Sequence, residues 1–437
     1  MIIRYTLDTA QDDFEADVTR SIKVPTTVTF TAILASEVSE MTWDFGDGSA
    51  TVATSELSVS HTYTAAGVYT VTMTRNSKSV VKVNYIEIVS GTLYVDAASE
   101  NPTPPYSSRA TAAKNPRDAL AFAENGFEVR IAPGDYSHNG ETFLEVTNAV
   151  TIIGEGDSPT NVVLRSAVQR KWYADRVVHM LNADAKIVNV TLADGSVHNG
   201  GWGGCVFLET AGGTISNCVI RGGRATHAIQ ARAGGAYMNG GFITHTVFEN
   251  CVFDASNNLS NERLASALII AGPGKVSNCL FRDCSGGAGD VIALLSASAE
   301  LVNCTVVGGQ CGFWTGNGNV TNESFAIGVK EGTVKNCAVY NVKRIAFNDF
   351  PETYEAAFGP NESSFTTCRL AEKRDFGDYD AGNLVPSPWG KLYNRGTSVD
   401  GIGSLDLAGA ARVQGKSIDI GCYEATPVVK GLAIIVR

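Results

Sequence analysis

Three short runs between Thr26 and Val89 alternate apolar and polar residues with the two-residue period of half-buried strands. They are Thr27-Val-Thr-Phe-Thr, Val68-Tyr-Thr-Val-Thr-Met and Val81-Lys-Val-Asn-Tyr-Ile-Glu-Ile-Val. Polar or glycine-containing turns separate them, a spacing that predicts a small β-sandwich. Trp43 and Phe45 alternate inward, while Asp44, Asp47 and Gly48 suit a tight turn after their strand.

Further along, Asn115-Pro-Arg-Asp-Ala-Leu predicts a short helix capped by Asn115, with Pro116 at its first position and Gly126 past its end. Such a helix closes the open end of a solenoid. A repeat follows: Ile187-Val-Asn-Val-Thr-Leu, Ile215-Ser-Asn-Cys-Val-Ile, Phe248-Glu-Asn-Cys-Val-Phe, Val276-Ser-Asn-Cys-Leu-Phe, Leu301-Val-Asn-Cys-Thr-Val and Val334-Lys-Asn-Cys-Ala-Val. Its asparagines, Asn189, Asn217, Asn250, Asn278, Asn303 and Asn336, stand 28, 33, 28, 25 and 33 residues apart, one solenoid turn plus a variable loop each time. Asparagine tolerates the left-handed backbone of a sharp corner, and stacked amides bond along the axis, so these six predict a ladder. The next residue then turns inward, and Cys218, Cys251, Cys279, Cys304 and Cys337 read as one file packed in the core.

The chain has 437 residues, 45 of them glycine and only 18% charged, a balance that suits tightly turned β-structure. The expected class is all-β: an immunoglobulin-like sandwich over residues 1–91, a right-handed parallel β-helix solenoid with its capping helix over 92–426, and a β-prone tail over 427–437. The net charge of −11 argues against nucleic acid and anionic membranes as partners. No run approaches eighteen apolar residues, so no membrane insertion is expected, and export would require a leader that Met1-Ile-Ile-Arg-Tyr-Thr does not supply. The ten cysteines contain no Cys-x-x-Cys pair; core thiols are favoured over a metal or redox file, and no metal or other cofactor is expected beyond calcium at the Asp44/Asp47 turn. Ile2 and Ile3 at one end, and Leu432, Ile434, Ile435 and Val436 at the other, make strand-like tails suited to docking on their own chain or to head-to-tail assembly with a second copy, up to a filament.

Trp43-Asp-Phe-Gly-Asp-Gly-Ser, His61-Thr-Tyr and Gly67-Val-Tyr-Thr-Val-Thr resemble the signature of the PKD family over roughly residues 14 to 90. That resemblance implies a spacer or adhesive module of an extracellular protein. The region from about 93 to 424 resembles the pectin-lyase-like β-helix superfamily. Gly234-Gly-Ala-Tyr and Gly200-Gly-Trp-Gly-Gly-Cys are similar to repeats of polymorphic outer-membrane and autotransporter adhesins, and Ser417-Ile-Asp-Ile-Gly-Cys-Tyr-Glu resembles the closing segment of secreted bacterial β-helices.

For chemistry, the best cluster is Arg224, His227, Arg232 and Tyr237, near Arg221: two arginines to meet a uronate carboxylate, an imidazole base and a phenol acid, the set a polysaccharide lyase requires. Asp254, Glu262, Asp283 and Asp290 lie on successive coils without forming an evident glycosidase pair. The signatures of polygalacturonase-like and pectate-lyase-like β-helices are absent from the sequence. Trp172, Trp202, Trp314 and Trp389 lie in loop-like stretches and are candidates for stacking on sugar rings. The sequence therefore favours a non-catalytic extracellular or cell-surface protein of adhesion or matrix type, with itself or a surface polysaccharide as partner, over a polysaccharide-degrading enzyme or a simple carbohydrate-binding module.

Overall fold

The computed structural model describes residues 11–168, 175–198, 201–226, 231–254, 263–286, 289–315, 321–344, 357–359, 362–401 and 403–427. It divides into two compact units, residues 1–93 and 94–437.

The first unit is an immunoglobulin-like sandwich. A three-stranded sheet (Asp13–Ala16, Thr26–Ile33, Ser58–Tyr63) faces a five-stranded one built around Gly67–Arg75 and Lys78–Ile88. Strand alternation places Phe14, Val28, Phe30, Met41, Trp43 and Tyr63 in its core, each fully buried. The Trp43-Asp-Phe-Gly-Asp-Gly turn is shaped by its carboxylates. Asp44 Oδ1 accepts the Gly46 amide at 2.9 Å, Asp47 Oδ1 accepts the Ser49 amide at 3.1 Å, and Asp47 Oδ2 meets His61 Nε2 at 2.7 Å. Burial alone would push the Asp47 carboxyl up, but the bonds from Ser49 and His61 outweigh it and hold it at about 2. Gly46 has φ +76°, and a Cβ there would sit 2.2 Å from the Thr70 carbonyl oxygen, so both backbone and space require glycine.

The second unit is a right-handed parallel β-helix. One rung shows the plan. Lys186–Val188 lies on face one, Thr191–Ala193 on face two, Ser196–His198 on face three and Val206–Leu208 on face four, each pairing in parallel with the equivalent strand of the next rung. Because neighbouring rungs supply the backbone hydrogen bonds, even three-residue strands are fully paired. The inward residues Ile187, Ile215, Ile243, Val276, Leu301 and Val334 of face one are completely buried, and on face two Phe248 and Phe281 stack 4.6 Å apart. The capping helix is shorter than its sequence suggests. It covers only Pro116–Leu120, with Asn115 accepting the Arg117 amide at 2.9 Å, and 3₁₀-type bonds from Phe122 and Ala123 end it before Gly126.

The corner ladder differs from the six-asparagine reading. Between faces one and two the stack is Asn189, Asn217, His245, Asn278, Asn303, Asn336 and Thr367, all with φ between 48° and 60°. Asn250 belongs to a second corner, between faces two and three, stacked with Asp194, Gly222, Asp283, Gly308 and Asn341, where φ runs from 53° to 66°. The second corner follows the first by the same short step in every rung, so both demand a left-handed residue. In one rung His245 takes the first corner and Asn250 the second, and a search for Asn-Cys selects the wrong one. Side-chain amides of the first corner meet where asparagines adjoin: Asn217 to Asn189 at 3.0 Å, Asn303 to Asn278 at 3.2 Å and Asn336 to Asn303 at 2.9 Å.

The cysteines divide with the corners. Cys218, Cys279, Cys304, Cys337 and Cys368 follow the first corner, with Thr246 in the His245 rung, whereas Cys251 and Cys284 follow the second. All ten cysteines are free and buried. Burial pushes the Cys205, Cys218 and Cys422 thiols up to about 12.

After the last rung the chain turns back. A short hairpin (Phe376–Asp378 with Asn383–Pro386) leads into an irregular strap, residues 392–425, that lies on the outside of face two. Phe376, Leu384, Leu392, Ile420 and Cys422 bury the outward side chains of Leu280, Val307 and Ala338. The strap is fastened to the first corner. Thr397 bonds to Asn336 through backbone and hydroxyl, Lys275 donates to the Asp400 carbonyl at 3.1 Å, and His245 Nε2 donates to the Leu405 carbonyl at 3.0 Å. The tail segments that carry Ile2, Ile3, Leu432, Ile434, Ile435 and Val436 lie outside the described residues.

Two outcomes test this account. Asn303→Ala should cost about 2–4 kcal/mol, combining a left-handed penalty of about 1–2 kcal/mol with lost buried hydrogen bonds, whereas Asn250→Gly at its exposed corner should change stability by less than about 1 kcal/mol. Equal losses in denaturant titrations would refute the two-corner assignment. In thiol titrations with an aromatic disulfide reagent, the native protein should react at none of its ten cysteines and the denatured protein at all ten; prompt reaction of any native thiol would contradict the buried files.

Candidate functional site

The outward side of face four brings aromatic and charged side chains together. Its outward residues, in register from rung to rung, are His179, Phe207, Tyr237, Ile269, Ala293 and Gly328. Strand alternation puts each between two inward aliphatics, so the outward file is decoupled from the core and free to carry other chemistry. His179 stacks on Phe207 with ring centroids 4.8 Å apart and 8° between planes, and Phe207 meets Tyr237 edge-on at 5.9 Å.

Trp202 reaches this file from the loop joining faces three and four. Its ring lies 5.5 Å from Tyr237 in a stacked pose and 5.3 Å from Phe207 edge-on, and it keeps 37% of its surface exposed. The loop is held by a parallel bridge between Trp202 and Arg232: Gly203 donates to the Arg232 carbonyl at 2.8 Å, and Arg232 donates its amide to the Gly201 carbonyl at 3.0 Å. From below, Arg176 Nε donates to the carbonyls of Trp202 and Gly203 at 3.1 and 3.2 Å. Its guanidinium lies 5.2 Å from the Phe207 ring centre, where cation and ring quadrupole attract. Burial lowers the Arg176 pKa to about 10, which leaves it charged at neutral pH.

Carboxylates flank the aromatics. Glu209 Oε1 lies 3.2 Å from His179 Nε2, and Glu145 Oε1 lies 3.9 Å from His179 Nδ1. Both acids remain solvent-accessible while His179 is mostly covered. The arrangement offers an exposed indole face beside carboxylate acceptors on a rigid sheet. That combination binds ligands with both an apolar ring face and hydroxyl donors.

Of the residues proposed from sequence for lyase chemistry, Tyr237 and Arg232 fall in this region, with Tyr237 buried under Trp202. Arg224 does not join them. It stands on face three, ion-paired to Asp254 of the next rung. His227 and Trp172 lie outside the described residues, and Trp314 lies in the strand Phe313–Thr315, whose side chains are likewise not described. Trp389 is 82% exposed and follows the hairpin strand Asn383–Pro386 in the chain. Among the acids suggested for glycosidase chemistry, Glu262 is outside the described residues and Asp283 occupies a corner. Asp290 is buried against Arg263 at 3.0 Å and accepts the Phe325 amide at 2.7 Å, a structural assignment for a carboxylate that burial pushes up. Sequence reading missed His179, Phe207, Arg176, Glu145 and Glu209. The signal available was register: His179, Phe207 and Tyr237 stand about one rung apart, which becomes visible only when face four is aligned as a repeat of its own.

No curated protein matches the chain. Residues 13–79, within the sandwich, match the PKD domain family, whose members occur in extracellular proteins.

Proposed function

We propose that this chain is an extracellular, surface-associated adhesion protein whose β-helix is a rigid shaft and whose contact with its target runs through the Trp202 platform. The target is a hydroxyl-rich glycan. The observation that carries this reading is the exposed indole of Trp202 stacked on Tyr237, beside the accessible carboxylates of Glu145 and Glu209. An indole face accepts the axial C–H groups of a pyranose, carboxylates accept its hydroxyls, and a sheet fixes both without an ordering cost at binding. The PKD domain supports the extracellular part of the proposal. Self-association through the terminal segments is a further part of it, and rests on their apolar, strand-like sequence alone.

Binding of oligosaccharide arrays, followed by calorimetry on the best ligands, tests the reading. Trp202→Ala should weaken binding by about two- to tenfold, the loss of one stacking contact of about 0.5–1.5 kcal/mol, with the variant first shown to be folded because the substitution also uncovers Tyr237. Absence of binding to any glycan, or equal binding by the variant, would overturn the platform assignment. Cleavage of a bound polysaccharide would instead make the protein a degrading enzyme.

A further inference from the structure

The strap ends in a buried charge cluster that neither the fold nor the proposed glycan contact requires. Asp406, Arg412, Asp419 and Glu424 are each at least 96% buried. Three carboxylates therefore share the surroundings of one guanidinium. Arg412 Nη1 lies 3.2 Å from Glu424 Oε1, an ion-pair contact without hydrogen-bond alignment, and Nη2 donates to the Gly421 carbonyl at 2.6 Å. The other carboxylates are occupied by backbone amides. Asp406 accepts from Ala408, Ala410 and Glu424, and Asp419 accepts from Asn394 and Ala425. Both Glu424 oxygens accept the Asp419 amide, at 2.9 and 3.0 Å.

This cluster is also where the strap meets the β-helix. The Arg412 guanidinium lies 3.0 Å from the side-chain amide of Asn303 in the corner ladder, and the Cys422 amide donates to Thr305 Oγ1 at 3.0 Å. The groups that face it are few. From the strap come Arg412, Asp406, Asp419, Cys422 and Tyr423; from the β-helix come Cys304 and, beside Tyr423, Arg282. Farther along, the strap carbonyls of Asp400 and Leu405 accept from two groups of the β-helix, the charged ammonium of Lys275, itself ion-paired to Glu300, and the imidazole of His245.

We propose that the strap is a pH-operated latch: residues 392–425 stay clamped on face two while the three-carboxylate cluster retains a proton, and detach more readily as that proton is lost. Unclamping withdraws Leu392, Ile420 and Cys422 from the apolar outward side chains of Leu280, Val307 and Ala338. Geometry supplies the reason, since a lone guanidinium cannot neutralise three buried carboxylates and the excess charge is relieved by protonation or by opening. Burial pushes the Glu424 carboxyl up to about 8, against the opposing pull of Arg412, and pushes Asp419 up as well. A carboxyl with a raised closed-state pKa favours the closed form fully at pH values below its open-state pKa of 4.5, and that preference is lost as pH rises toward the closed-state value of about 8. Between those limits each released proton makes opening about tenfold easier per pH unit.

Hydrogen exchange of the whole chain, read by mass spectrometry for peptides within 392–425 and corrected for intrinsic exchange rates, tests the latch. From pH 5.5 to 7.5 the opening constant of the strap should rise about a hundredfold while the face-one strands stay protected. Glu424→Gln, which keeps the shape and removes the charge, should cut that rise to about tenfold or less. A pH-independent strap, or an unchanged slope in the variant, would overturn the proposal. If the variant does not fold, infrared spectroscopy of the wild-type protein carrying ¹³C-labelled glutamate decides: a protonated carboxyl band persisting above pH 7 supports the latch, and its loss by pH 6 rules it out.

Discussion

The second unit depends on one backbone constraint. A parallel coil must turn sharply between short strands without breaking the hydrogen-bond register to its neighbours, and the turn chosen here places a residue in the left-handed region at each of two corners. Everything else follows from keeping those corners stacked. The stacking aligns three-residue strands so that each lends its amides to the next rung, sets the inward alternation that builds the aliphatic core, and leaves a continuous outward file on every face. Variable loops are tolerated only where they leave the coil between corners, as between faces three and four, where Trp202 enters the candidate site.

The fold class was legible because it is written in short-range patterns: alternation in Thr27-Val-Thr-Phe-Thr, a turn of Asp and Gly after Trp43, and recurring Asn-Cys in the solenoid. Register was less legible. Two corners with the same backbone demand accept the same residues, so Asn250 looked like a ladder member although His245 holds that place. The thiol files inherited the error, because the inward position is defined by the corner before it. For the same reason the site was only half visible. Trp202 and Tyr237 stood out by residue type, but His179 and Phe207 acquire meaning only through pairing one rung apart, and Arg176 only through its burial beneath Trp202. The strap has no periodicity to read, since it is built from side chains meeting backbone amides in an irregular chain.

The ladder and the strap divide the work of protecting the first corner. Toward the N-terminal end, Asn189 and Asn217 are left accessible, and there the amides bond along the axis or to the carbonyls of the previous rung. Toward the C-terminal end, Asn278, Asn303 and Asn336 are completely buried. An amide removed from water must find partners, and for Asn336 the strap provides them through Thr397. His245 stands at the boundary between these regimes, one ring nitrogen bonded within its own rung to Thr244 and the other to the strap at Leu405.

The buried thiols carry a consequence for the lifetime of the molecule in oxidising surroundings. Buried, and with their ionisation pushed up by burial, they are inert only while the coil is wound. A rung that opens in oxidising surroundings presents sulfur atoms with many alternative partners and no native pairing to return to, so disulfide formation would compete with rewinding. Durability in such a setting is then a matter of rate: the barrier to the first opening counts for more than the free-energy difference between the end states.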